Sequence, residues 1–398
     1  MKLLVATDAH ILKTPDGKYW CKSIYSYNFW KRYLNVFEEV RIVARTKKIT
    51  SNIEKLLRVD GPNVEVFEIP FYQGPKQLAI NYLKIHFILR KAYDGCNVAL
   101  FRMPSQTAYM TFQHLPKAMP FAGEIVYDPM DDINDKNSGI IMKLLNLRIS
   151  KQLSYFCKKA NGVSYVTEKI IQEHYPSNAS LNGESNKFFE TYYSTITLED
   201  DFFTSPRDFI KKRNFRLVLS DVAMNSERKG ERTLLHALKL VLDKKYDVYA
   251  TIIGDGSKKK EYEELAINLG VDKRVEFTGL LSSSKEVRKK LLESDIFVFP
   301  TQAEGLPRGI IESMAVGLPV ITSPVGGIPE IIDKKYLIAP DNIQGYADKL
   351  CFLISNLEEL NIMSLKNFTK AQEFKNVFLQ EKRDSFYKKL RRLAEENL

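Results

Sequence analysis

Short apolar runs that alternate with helix-length segments dominate this sequence. Each half of the chain contains six such runs, rich in β-branched or aromatic residues and bounded by turn residues. They are KLLVA (2–6), EVRIVA (39–44), VEVFEIP (64–70), NVALFR (97–102), EIVYD (124–128) and GVSYVT (162–167), followed by FRLVLS (215–220), VYATIIG (248–254), RVEFTG (274–279), DIFVFP (295–300), PVITSP (319–324) and KYLIAP (335–340). Strands buried on both faces are typical of parallel sheets covered by helices. The pattern therefore predicts an α/β fold with two Rossmann-like parallel sheets.

The length of 398 residues is too great for one ordinary core and predicts two domains. Residues 185–208 show no clear hydrophobic period, so we place the junction there and assign 1–190 to the first domain and 191–370 to the second. Residues 371–398 follow an amphipathic helix pattern, and we expect this helix to pack back toward the first domain. Ligands of open α/β sheets bind beyond the carboxyl ends of the strands, so we expect the site in a cleft between two facing sheets.

The composition excludes several protein classes. With 44% hydrophobic and 27% charged residues, the chain resembles a soluble globular protein. The N-terminal apolar run is broken by Asp8, and no other segment is long and apolar enough to span a bilayer. The four cysteines have no C-x-x-C spacing, which argues against a zinc site and a disulfide framework. We therefore expect a cytoplasmic protein.

The positive charge is concentrated in the first half of the chain. Residues 1–190 carry a net charge of +8 (26 Lys and Arg minus 18 Asp and Glu), whereas the remainder carries +2 (33 minus 31). This bias fits nucleic acid, an anionic membrane, a phosphorylated substrate or simple solubility. The chain lacks RNP, helix-turn-helix and zinc-finger signatures, so we expect no nucleic-acid partner, and a basic nucleic-acid-binding protein is kept only as an alternative.

Two acid-free segments combine apolar and basic residues. They are KQLAINYLKIHFILRKAY (76–93) and MKLLNLRISKQLSYFCKK (142–159). Both patterns fit peripheral contact with an anionic membrane, and both equally fit helices that cover a buried sheet.

The segment EGLPRGIIESMAVGLPVITSPVGGIPE (304–330) places carboxylates around a predicted helix start. We place the helix at Pro307–Val316, with Glu304 in the loop before it and Glu312 on it. Free amides at the start of a helix can hold a phosphate or a sugar hydroxyl, and a carboxylate can accept hydrogen bonds from vicinal hydroxyls.

The predicted amides are those around Gly305, Leu306 and Arg308. A plainer interpretation is a surface pair between Arg308 and Glu312 at i,i+4 spacing, worth only about 0.3–0.5 kcal/mol, with Glu304 as an ordinary loop acid.

Two further segments follow predicted strands of the second half. In SERKG, Arg228 and Lys229 precede a helix, and this charge would suit a diphosphate leaving group. IIGDGS (252–257) forms a glycine turn that contributes Gly254 to the donor side, but it lacks the third glycine of a dinucleotide-binding motif. NAD binding is therefore not expected.

The stretch FVFPTQAEGLPRGIIESMAVGLPVITSPVGGIPE resembles the donor-site signature of the family-4 retaining glycosyltransferases of the GT-B fold, the glycosyl transferases group 1. That signature has two glutamates separated by seven residues. SERKG, IIGDG, VEFTG and SDIFVFP also occur in the same order as in that family. The resemblance covers most of residues 215–332, whereas the first half agrees only in layout.

The resemblance implies a retaining transfer of a hexose from a nucleotide-diphosphate sugar, without a bound metal or another cofactor. Glu304 would hold the hexose, with the backbone after Gly305 and Leu306 near the sugar and phosphates. Glu312 would bind the ribose, and Lys229 would neutralise the departing diphosphate.

The acceptor that this implies is a glycan or a polyprenyl-diphosphate-linked sugar in the biosynthesis of a surface polysaccharide such as a capsule. A GT-B nucleotide-sugar epimerase is the alternative enzyme, and it would need no acceptor.

The sequence departs from the family pattern at two points. A Gly-Arg pair often follows the first strand of the second half in that family, and here Arg228 is the candidate substitute. Many members also carry a histidine after the strand corresponding to EIVYD, where this chain has Asp128, Asp131 and Asp132. We take Asp131 as the catalytic candidate, although paired aspartates before a helix are commonly N-caps. His10, in the loop expected after the first strand, is a further acid–base candidate.

Overall fold

The chain divides into two units, each built around a sheet of mainly parallel strands. The computed structural model describes residues 1–22, 24–50, 53, 56–131, 139–281 and 283–396. The first unit comprises residues 1–130, 139–193 and those from Gln380 onward, and the second comprises Asp131 and Ser194–Leu379. Sequence analysis places the junction after residue 190 and starts the terminal helix segment at residue 371.

The first unit has a nine-stranded sheet. Its strands are β1 (Lys2–Lys13), β2 (Tyr19–Cys21), β3 (Glu39–Lys48), β4 (Leu57–Arg58), β5 (Val64–Pro70), β6 (Val98–Met103), β7 (Phe121–Ile125), β8 (Gly162–Tyr165) and β9 (Phe189–Tyr192). The parallel strands follow the order β5, β3, β1, β6, β7, β8 and β9, while β2 and β4 form an antiparallel extension beside β1. Its helices are α1 (Tyr27–Leu34), α2 (Gly74–Leu89), α3 (Gln106–Phe112), α4 (Ile140–Lys159), α5 (Ile170–His174) and α6 (Asn178–Asn182).

The second unit has a five-stranded parallel sheet in the order β12, β11, β10, β13 and β14. Its strands are β10 (Asn214–Ala223), β11 (Asp247–Asp255), β12 (Val275–Gly279), β13 (Ile296–Phe299) and β14 (Val320–Thr322). Its helices are α7 (Glu231–Asp243), α8 (Lys259–Asn268), α9 (Ser284–Leu292), α10 (Arg308–Ala315), α11 (Ile343–Ser355) and α12 (Leu357–Ala371). The last helix, α13 (Asn376–Glu395), begins in the second unit and continues into the first at Gln380. The predicted α/β architecture with two parallel sheets is confirmed.

Successive residues of β7 show that both faces of the first sheet are covered. Gly123 lies under α4, because a Cβ atom built there would stand 2.4 Å from the ring of Phe156. Glu124 points to the opposite face, where hydroxyl groups of Tyr33 on α1 and Tyr387 on α13 donate to it. This alternation is the period of a β-strand, and it explains why the strand is apolar towards one helix layer and polar towards the other.

The carboxylate of Glu124 is the centre of a buried polar cluster. Its Oε2 atom pairs with the guanidinium of Arg102 and accepts a hydrogen bond from Tyr33 at 3.1 Å. Its Oε1 atom accepts hydrogen bonds from Tyr193 at 3.0 Å and Tyr387 at 2.6 Å. Burial by itself raises the pKa of Glu124, but Arg102 and the hydroxyl donors outweigh it and hold that pKa below its usual value. The cluster fixes α13 to the first sheet.

Two strand predictions and one loop prediction need correction. KYLIAP is not a strand: Lys334–Tyr336 form a 3₁₀ turn that starts where the side chain of Asp333 accepts from the amide of Lys335 at 3.2 Å. The strand predicted at 124–128 lies earlier, at β7. The loop expected after residue 6 belongs to β1, whose polar and buried residues alternate, so Ala9 and Ile11 are buried while His10 is exposed.

No helix within the described residues is long and apolar enough to cross a membrane.

Replacing Tyr387 by phenylalanine should lower the free energy of unfolding by about 1–2 kcal/mol. The change removes one hydroxyl donor from a buried carboxylate and leaves the aromatic packing in place. Urea denaturation followed by tryptophan fluorescence measures the effect. Tyr82→Phe, at an exposed ring on α2, is the matched control and should change stability by less than about 0.5 kcal/mol. Equal effects of the two substitutions would contradict the role assigned to the Glu124 cluster.

Candidate functional site

The candidate site lies at the carboxyl edge of the second sheet. Strands β10 and β13 are parallel neighbours, with Leu217 opposite Ile296 and Val218 opposite Phe297. Parallel strands end at the same edge, so the loop after β10 and the loop after β13 emerge side by side. The first loop carries Lys229 and the second carries Glu304.

Lys229 and Glu304 form a hydrogen-bonded ion pair between these loops. The hydroxyl of Thr301 lies 3.2 Å from the same carboxylate oxygen, Oε1 of Glu304. The ammonium group of Lys229 also stands 5.5 Å from the centre of the Phe299 ring, within the range of a cation–π contact. The structure thus brings together the two residues that the sequence assigns to the sugar and the diphosphate, although their roles with a ligand remain predictions.

Backbone contacts hold the two loops in register. The amide of Gln302 donates to the carbonyl oxygen of Arg228 at 2.8 Å, and the Thr301 hydroxyl lies 3.2 Å from that oxygen. Gly230 has a φ of +89°, and a Cβ atom there would stand 2.4 Å from the carbonyl oxygen of Pro300. A larger residue at position 230 would therefore push the Lys229 loop away from β13.

The glycine pair after β14 supports Glu304 from the other side. Gly326 has a φ of +51°, and a Cβ atom there would lie 1.7 Å from the carbonyl oxygen of Glu304. The amide of Gly327 donates to the carbonyl oxygen of Gly305 at 2.7 Å. Sequence analysis did not assign Thr301 or Gly326 to the site. The sequence does offer a signal for each of them. Thr301 is a hydroxyl residue directly after the predicted strand DIFVFP, and Gly326 belongs to a Gly-Gly turn after the next predicted strand.

Helix α10 starts at the edge of this site. Pro307 is its N-cap, and the side chain of Pro307 forms no capping hydrogen bond, so the positive end of the helix dipole is not capped by a side chain from that position. Gly305 is buried, Leu306 is half-buried and Arg308 is exposed. The predicted helix, Pro307–Val316, agrees with the observed one to within a residue at each end.

Glu312 lies on α10 and is half-buried. Among the described residues it has no ion-pair partner within 4.0 Å, so the alternative of a surface pair with Arg308 is not realised as a direct contact. Burial raises the pKa of Glu312 to about 7, and the charge of Arg308 opposes this shift only in part. The carboxyl group is therefore partly protonated at neutral pH and can both donate and accept hydrogen bonds.

The other predicted donor-side residues are Gly254 and Arg228. Gly254 is the second-last residue of β11 and has a φ of +141°, and a Cβ atom there would lie 1.6 Å from the carbonyl oxygen of Asp221. Glycine at this position is thus required by the packing of β11 against β10. Arg228 is half-buried, and its carbonyl oxygen is part of the contact between the two loops.

Two buried carboxyl groups lie next to the site, at the end of β10 and the start of α7. Both oxygens of Glu231 and the Oδ2 atom of Asp221 are buried without a hydrogen-bond partner among the described residues. Two carboxylates cannot donate to each other, but a proton on Glu231 allows it to hydrogen-bond Asp221. Burial, followed by the neighbouring charge of Asp221, raises the pKa of Glu231 to about 8, while Lys229 acts in the opposite direction.

The candidates from the N-terminal half of the chain lie apart in sequence and differ in environment. Asp131 is half-buried in the turn after β7, and Asp132 lies outside the described residues. His10 lies in β1 rather than in a loop, with its ring edge-on to Phe71 at 5.4 Å. Burial, together with the charge of Arg45, lowers the pKa of His10.

Asp128 has a partner that sequence analysis missed. It is buried, and its Oδ2 atom lies 2.5 Å from Nδ1 of His174 on α5. The two residues are 46 positions apart in the chain, so no local motif indicates their contact. Parallel pairing of β7 with β8 brings together the segments that follow these strands.

Comparison with known proteins agrees with the family that the sequence of the second unit resembles. Residues 217–356 match the family model described as Glycosyl transferases group 1. The chain is 26% identical to Protein CapJ of Staphylococcus aureus over 98% of its length and 96% of that protein. It is 31% identical to the amylovoran biosynthesis glycosyltransferase AmsK of Erwinia amylovora, over 54% of this chain and 58% of AmsK.

Solved structures of low sequence identity share the complete fold. The sucrose-phosphate synthase of Thermosynechococcus elongatus superimposes with a TM-score of 0.70 at 14% identity and covers 98% of this chain and 99% of that structure. HepE of Anabaena, solved in complex with UDP, gives a TM-score of 0.65 at 17% identity over 96% of this chain and 98% of that structure. The GT-B fold predicted from the sequence is confirmed.

Replacing Glu231 by glutamine should flatten the dependence of stability on pH. The pKa of Glu231 is higher in the folded protein than the usual 4.5, so the folded state keeps a proton that the unfolded chain loses. Its contribution to stability is complete below about pH 4.5 and decreases as the pH rises towards 8, by about 1.4 kcal/mol per pH unit at most.

Urea denaturation at several pH values between 5 and 8 measures this slope. Glu264→Gln, at an exposed position on α8, is the control and should leave the slope unchanged. Parallel pH profiles for wild type and Glu231→Gln would show that Glu231 does not hold the proton.

Proposed function

We propose that this chain is a group 1 glycosyltransferase of the GT-B fold, and that its second unit binds a nucleotide-diphosphate sugar and transfers the sugar with retention of configuration. The observation that carries this proposal is the pairing of Lys229 with Glu304 beside the start of α10. It places a cation, a carboxylate and a helix dipole at one edge of the sheet. This combination suits a ligand that carries both hydroxyl groups and a diphosphate.

In the proposed reaction, charge develops on the diphosphate as the bond to the anomeric carbon breaks. The ammonium group of Lys229 and the amides near Gly305 and Leu306 stabilise that charge, with Arg228 as an additional cation. The incoming diphosphate competes with Glu304 for Lys229, which frees the carboxylate to accept hydrogen bonds from the hexose. Glu312, with its pKa near neutrality, binds the ribose hydroxyls.

We propose that this transfer is independent of metal ions and of any cofactor other than the donor. Cationic side chains and the α10 dipole supply the electrostatic stabilisation that a divalent ion supplies in other enzymes. Within the described residues no group of three or more His, Cys, Asp or Glu side chains is arranged to hold a metal ion.

For the acceptor we propose a glycan or a polyprenyl-diphosphate-linked sugar in surface polysaccharide biosynthesis. The relatives support this assignment, since AmsK is described as an amylovoran biosynthesis glycosyltransferase and WcaL of Escherichia coli as a putative colanic acid biosynthesis glycosyltransferase. The donor is proposed to be a nucleotide-activated hexose. UDP is the first nucleotide to test because HepE was solved in complex with it.

We further propose that the enzyme works in the cytoplasm against the inner, anionic face of the cell membrane. Helix α2 buries Ile85 and Leu89, but Ile80, Leu83 and Phe87 are 75%, 82% and 68% exposed. These three form one stripe on the helix because they are three and four positions apart. A helix face that contacts water is normally polar, so this apolar stripe suits burial among lipid headgroups.

The charge around this stripe fits the same partner. Helix α2 contains no acidic residue, and Lys76, Lys84, Arg90 and Lys91 are exposed on it or just after it. Helix α4 shares this character, because it also contains no acidic residue and exposes Ile140, Ile141 and Leu144. Both helices lie on the same face of the first sheet, next to α3, so their outer surfaces belong to one layer.

Removing either member of the ion pair should abolish most of the transfer. We expect Lys229→Ala and Glu304→Ala each to lower turnover by about a hundredfold or more, because both groups act on the charge or sugar of the donor. Glu312→Ala should mainly raise the dissociation constant of the nucleotide. Lys239→Ala, at an exposed lysine of α7, is the control and should retain wild-type activity.

The assay follows transfer from UDP-hexoses to a lipid-linked or soluble acceptor, with a thermal-shift screen against nucleoside diphosphates beside it. Near-wild-type transfer by Lys229→Ala or Glu304→Ala would overturn the site. Conversion of the nucleotide sugar in the absence of any acceptor would instead indicate an epimerase.

Three substitutions on α2 test the membrane contact. Ile80→Gln, Leu83→Gln and Phe87→Gln together should weaken co-sedimentation with phosphatidylglycerol vesicles more than tenfold, since each apolar side chain removed from water contributes about 1.5–3 kcal/mol. Ile267→Gln, at an exposed position of α8, is the control. Binding that is equal for the triple variant, or equal on neutral phosphatidylcholine vesicles, would contradict an anionic membrane as the partner.

A further inference from the structure

Two buried carboxyl groups of the second unit have oxygen atoms without a hydrogen-bond partner among the described residues. Glu231, the first residue of α7, is 0% exposed, and both of its carboxyl oxygens are in this state. Asp221, on β10, is 5% exposed, and its Oδ2 atom is in the same state. Burying a polar group without a partner is unfavourable, so two such groups beside the Lys229 loop indicate a functional role.

The contacts of the two groups decide which of them carries a proton. Oδ1 of Asp221 accepts a hydrogen bond from the amide of Ala223 at 3.1 Å, and this donor stabilises a negative charge on Asp221. The described contacts of Glu231 include no such donor. An unpaired carboxylate is far less favourable in a protein interior than the neutral acid. Glu231 therefore holds a proton beside an ionised Asp221.

Titratable groups from three elements act at Glu231. Burial raises the pKa of Glu231 to about 8, the charge of Asp221 on β10 adds to this shift, and the charge of Lys229 opposes it. On α8, the buried Tyr262 donates its hydroxyl to the carbonyl oxygen of Ser226 at 3.2 Å. Burial also raises the pKa of Tyr262, so this phenol stays neutral.

The charged side chains farther out in this region pair with one another. Arg232 pairs with Glu261 at 2.6 Å and with Glu227 at 3.2 Å, and Lys258 pairs with Glu261 at 2.6 Å. All four side chains are 34–41% exposed, so solvent screens their charges. Lys229 is therefore the cation through which the proton of Glu231 can act on a ligand.

The Lys229 loop connects the carboxyl pair to the candidate donor site. Lys229 is two residues before Glu231, and its ammonium group pairs with Glu304. Gly230, between them, lies against β13, because a Cβ atom there would stand 2.4 Å from the carbonyl oxygen of Pro300. This contact holds the loop in place, so a change in the charge of Glu231 acts on Lys229 through electrostatic attraction.

We propose that the proton on Glu231 sets the affinity of the second unit for a nucleoside diphosphate, with Glu231 acting as a positioning residue through Lys229. This inference rests on the proposed function, because it needs the diphosphate to bind beside Lys229. Loss of the proton would add a second buried negative charge next to Asp221, and this charge would repel the diphosphate and compete for Lys229. By thermodynamic linkage, a bound diphosphate favours the protonated form of Glu231 by the same factor. Diphosphate binding above pH 8 therefore takes up a proton from the solvent.

The direction of the pH dependence follows from the raised pKa of Glu231. Below about pH 8 the carboxyl group keeps its proton, and the affinity for the diphosphate is complete. As the pH rises through 8 the proton is lost and the affinity decreases. Glu312, whose pKa is about 7, and the nucleotide itself also titrate. Their effects cancel when a variant of Glu231 is compared with wild type at each pH.

Glu231→Gln tests this dependence, because glutamine resembles the protonated acid and has no proton to lose in this pH range. Isothermal titration calorimetry measures the dissociation constant of UDP from pH 7 to 9, and ADP, GDP and TDP are the further probes. We expect Glu231→Gln to bind UDP like wild type at pH 7 and about fivefold more tightly at pH 9. Glu264→Gln, at an exposed position on α8, is the matched control and should follow wild type throughout.

Proton uptake is a readout that a purely structural role of Glu231 would not change. Titrations at pH 8 in HEPES and in Tris, which differ in their enthalpy of ionisation, measure the number of protons taken up when UDP binds. Wild type and Glu264→Gln should take up a larger fraction of a proton than Glu231→Gln, because glutamine does not titrate.

Asp221→Asn should move the pH transition without removing it. Without the charge of Asp221, one of the causes that raise the pKa of Glu231 is lost. The pH at which the affinity for UDP decreases should therefore be lower than in wild type. An unchanged transition in a folded Asp221→Asn protein would contradict the coupling between the two carboxyl groups.

The outcomes for Glu231→Gln separate this inference from the proposed function. Equal affinity profiles and equal proton uptake for wild type and Glu231→Gln would overturn the role of Glu231, while UDP binding would still support the proposed function. A weaker affinity of Glu231→Gln at every pH, with unchanged proton uptake, would show that Glu231 only supports the fold. If none of the four nucleoside diphosphates binds to either protein, the proposed donor site fails and this inference fails with it.

Discussion

Parallel pairing of β10 with β13 is the constraint on which the candidate donor site depends. Neither Lys229 nor Glu304 is on these strands, yet the common direction of the strands places the loops of Lys229 and Glu304 side by side. The hydrogen bond from Gln302 to the carbonyl of Arg228 then fixes one loop against the other at 2.8 Å. Since backbone contacts set this spacing, a substitution of either charged side chain changes the chemistry of the site more than its frame.

The buried carboxylates of this protein differ in how many of their oxygen atoms have a hydrogen-bond partner. Glu124 receives Arg102 and three tyrosine hydroxyls, so its burial stabilises one arrangement of β7 and α13. Glu231 and Asp221 are just as buried, but both oxygens of Glu231 and Oδ2 of Asp221 have no hydrogen-bond partner among the described residues, next to the loop of Lys229. Incomplete pairing of this kind is costly for folding and is found where function requires a particular charge or proton.

Local patterns explain which parts of the molecule the sequence could predict. The helix predicted at Pro307–Val316, with Glu304 before it and Glu312 on it, follows from a strand, a glycine-containing loop and a proline, all within a few residues. The strand prediction for KYLIAP (335–340) is wrong because apolar content alone does not show that Asp333 starts a 3₁₀ turn. Contacts between distant segments, such as His174 with Asp128, depend on which strands are neighbours in the sheet, and a single sequence does not contain that information.

Each unit contains a basic side chain paired with a carboxylate, but the two carboxylates differ in how many hydrogen bonds they already accept. In each, a basic side chain from the segment after one strand meets a carboxylate from the segment after a neighbouring parallel strand. Asp128 is buried, accepts from Tyr175 and Met130 through Oδ1, and contacts His174 through Oδ2. Glu304 accepts only from Lys229 and Thr301 among the described residues, which leaves it lone pairs for further donors. Asp128 therefore has contacts on both of its oxygens, whereas the contacts of Glu304 within the described residues are on Oε1, and this unused acceptor capacity supports the proposed role of Glu304 in binding a ligand.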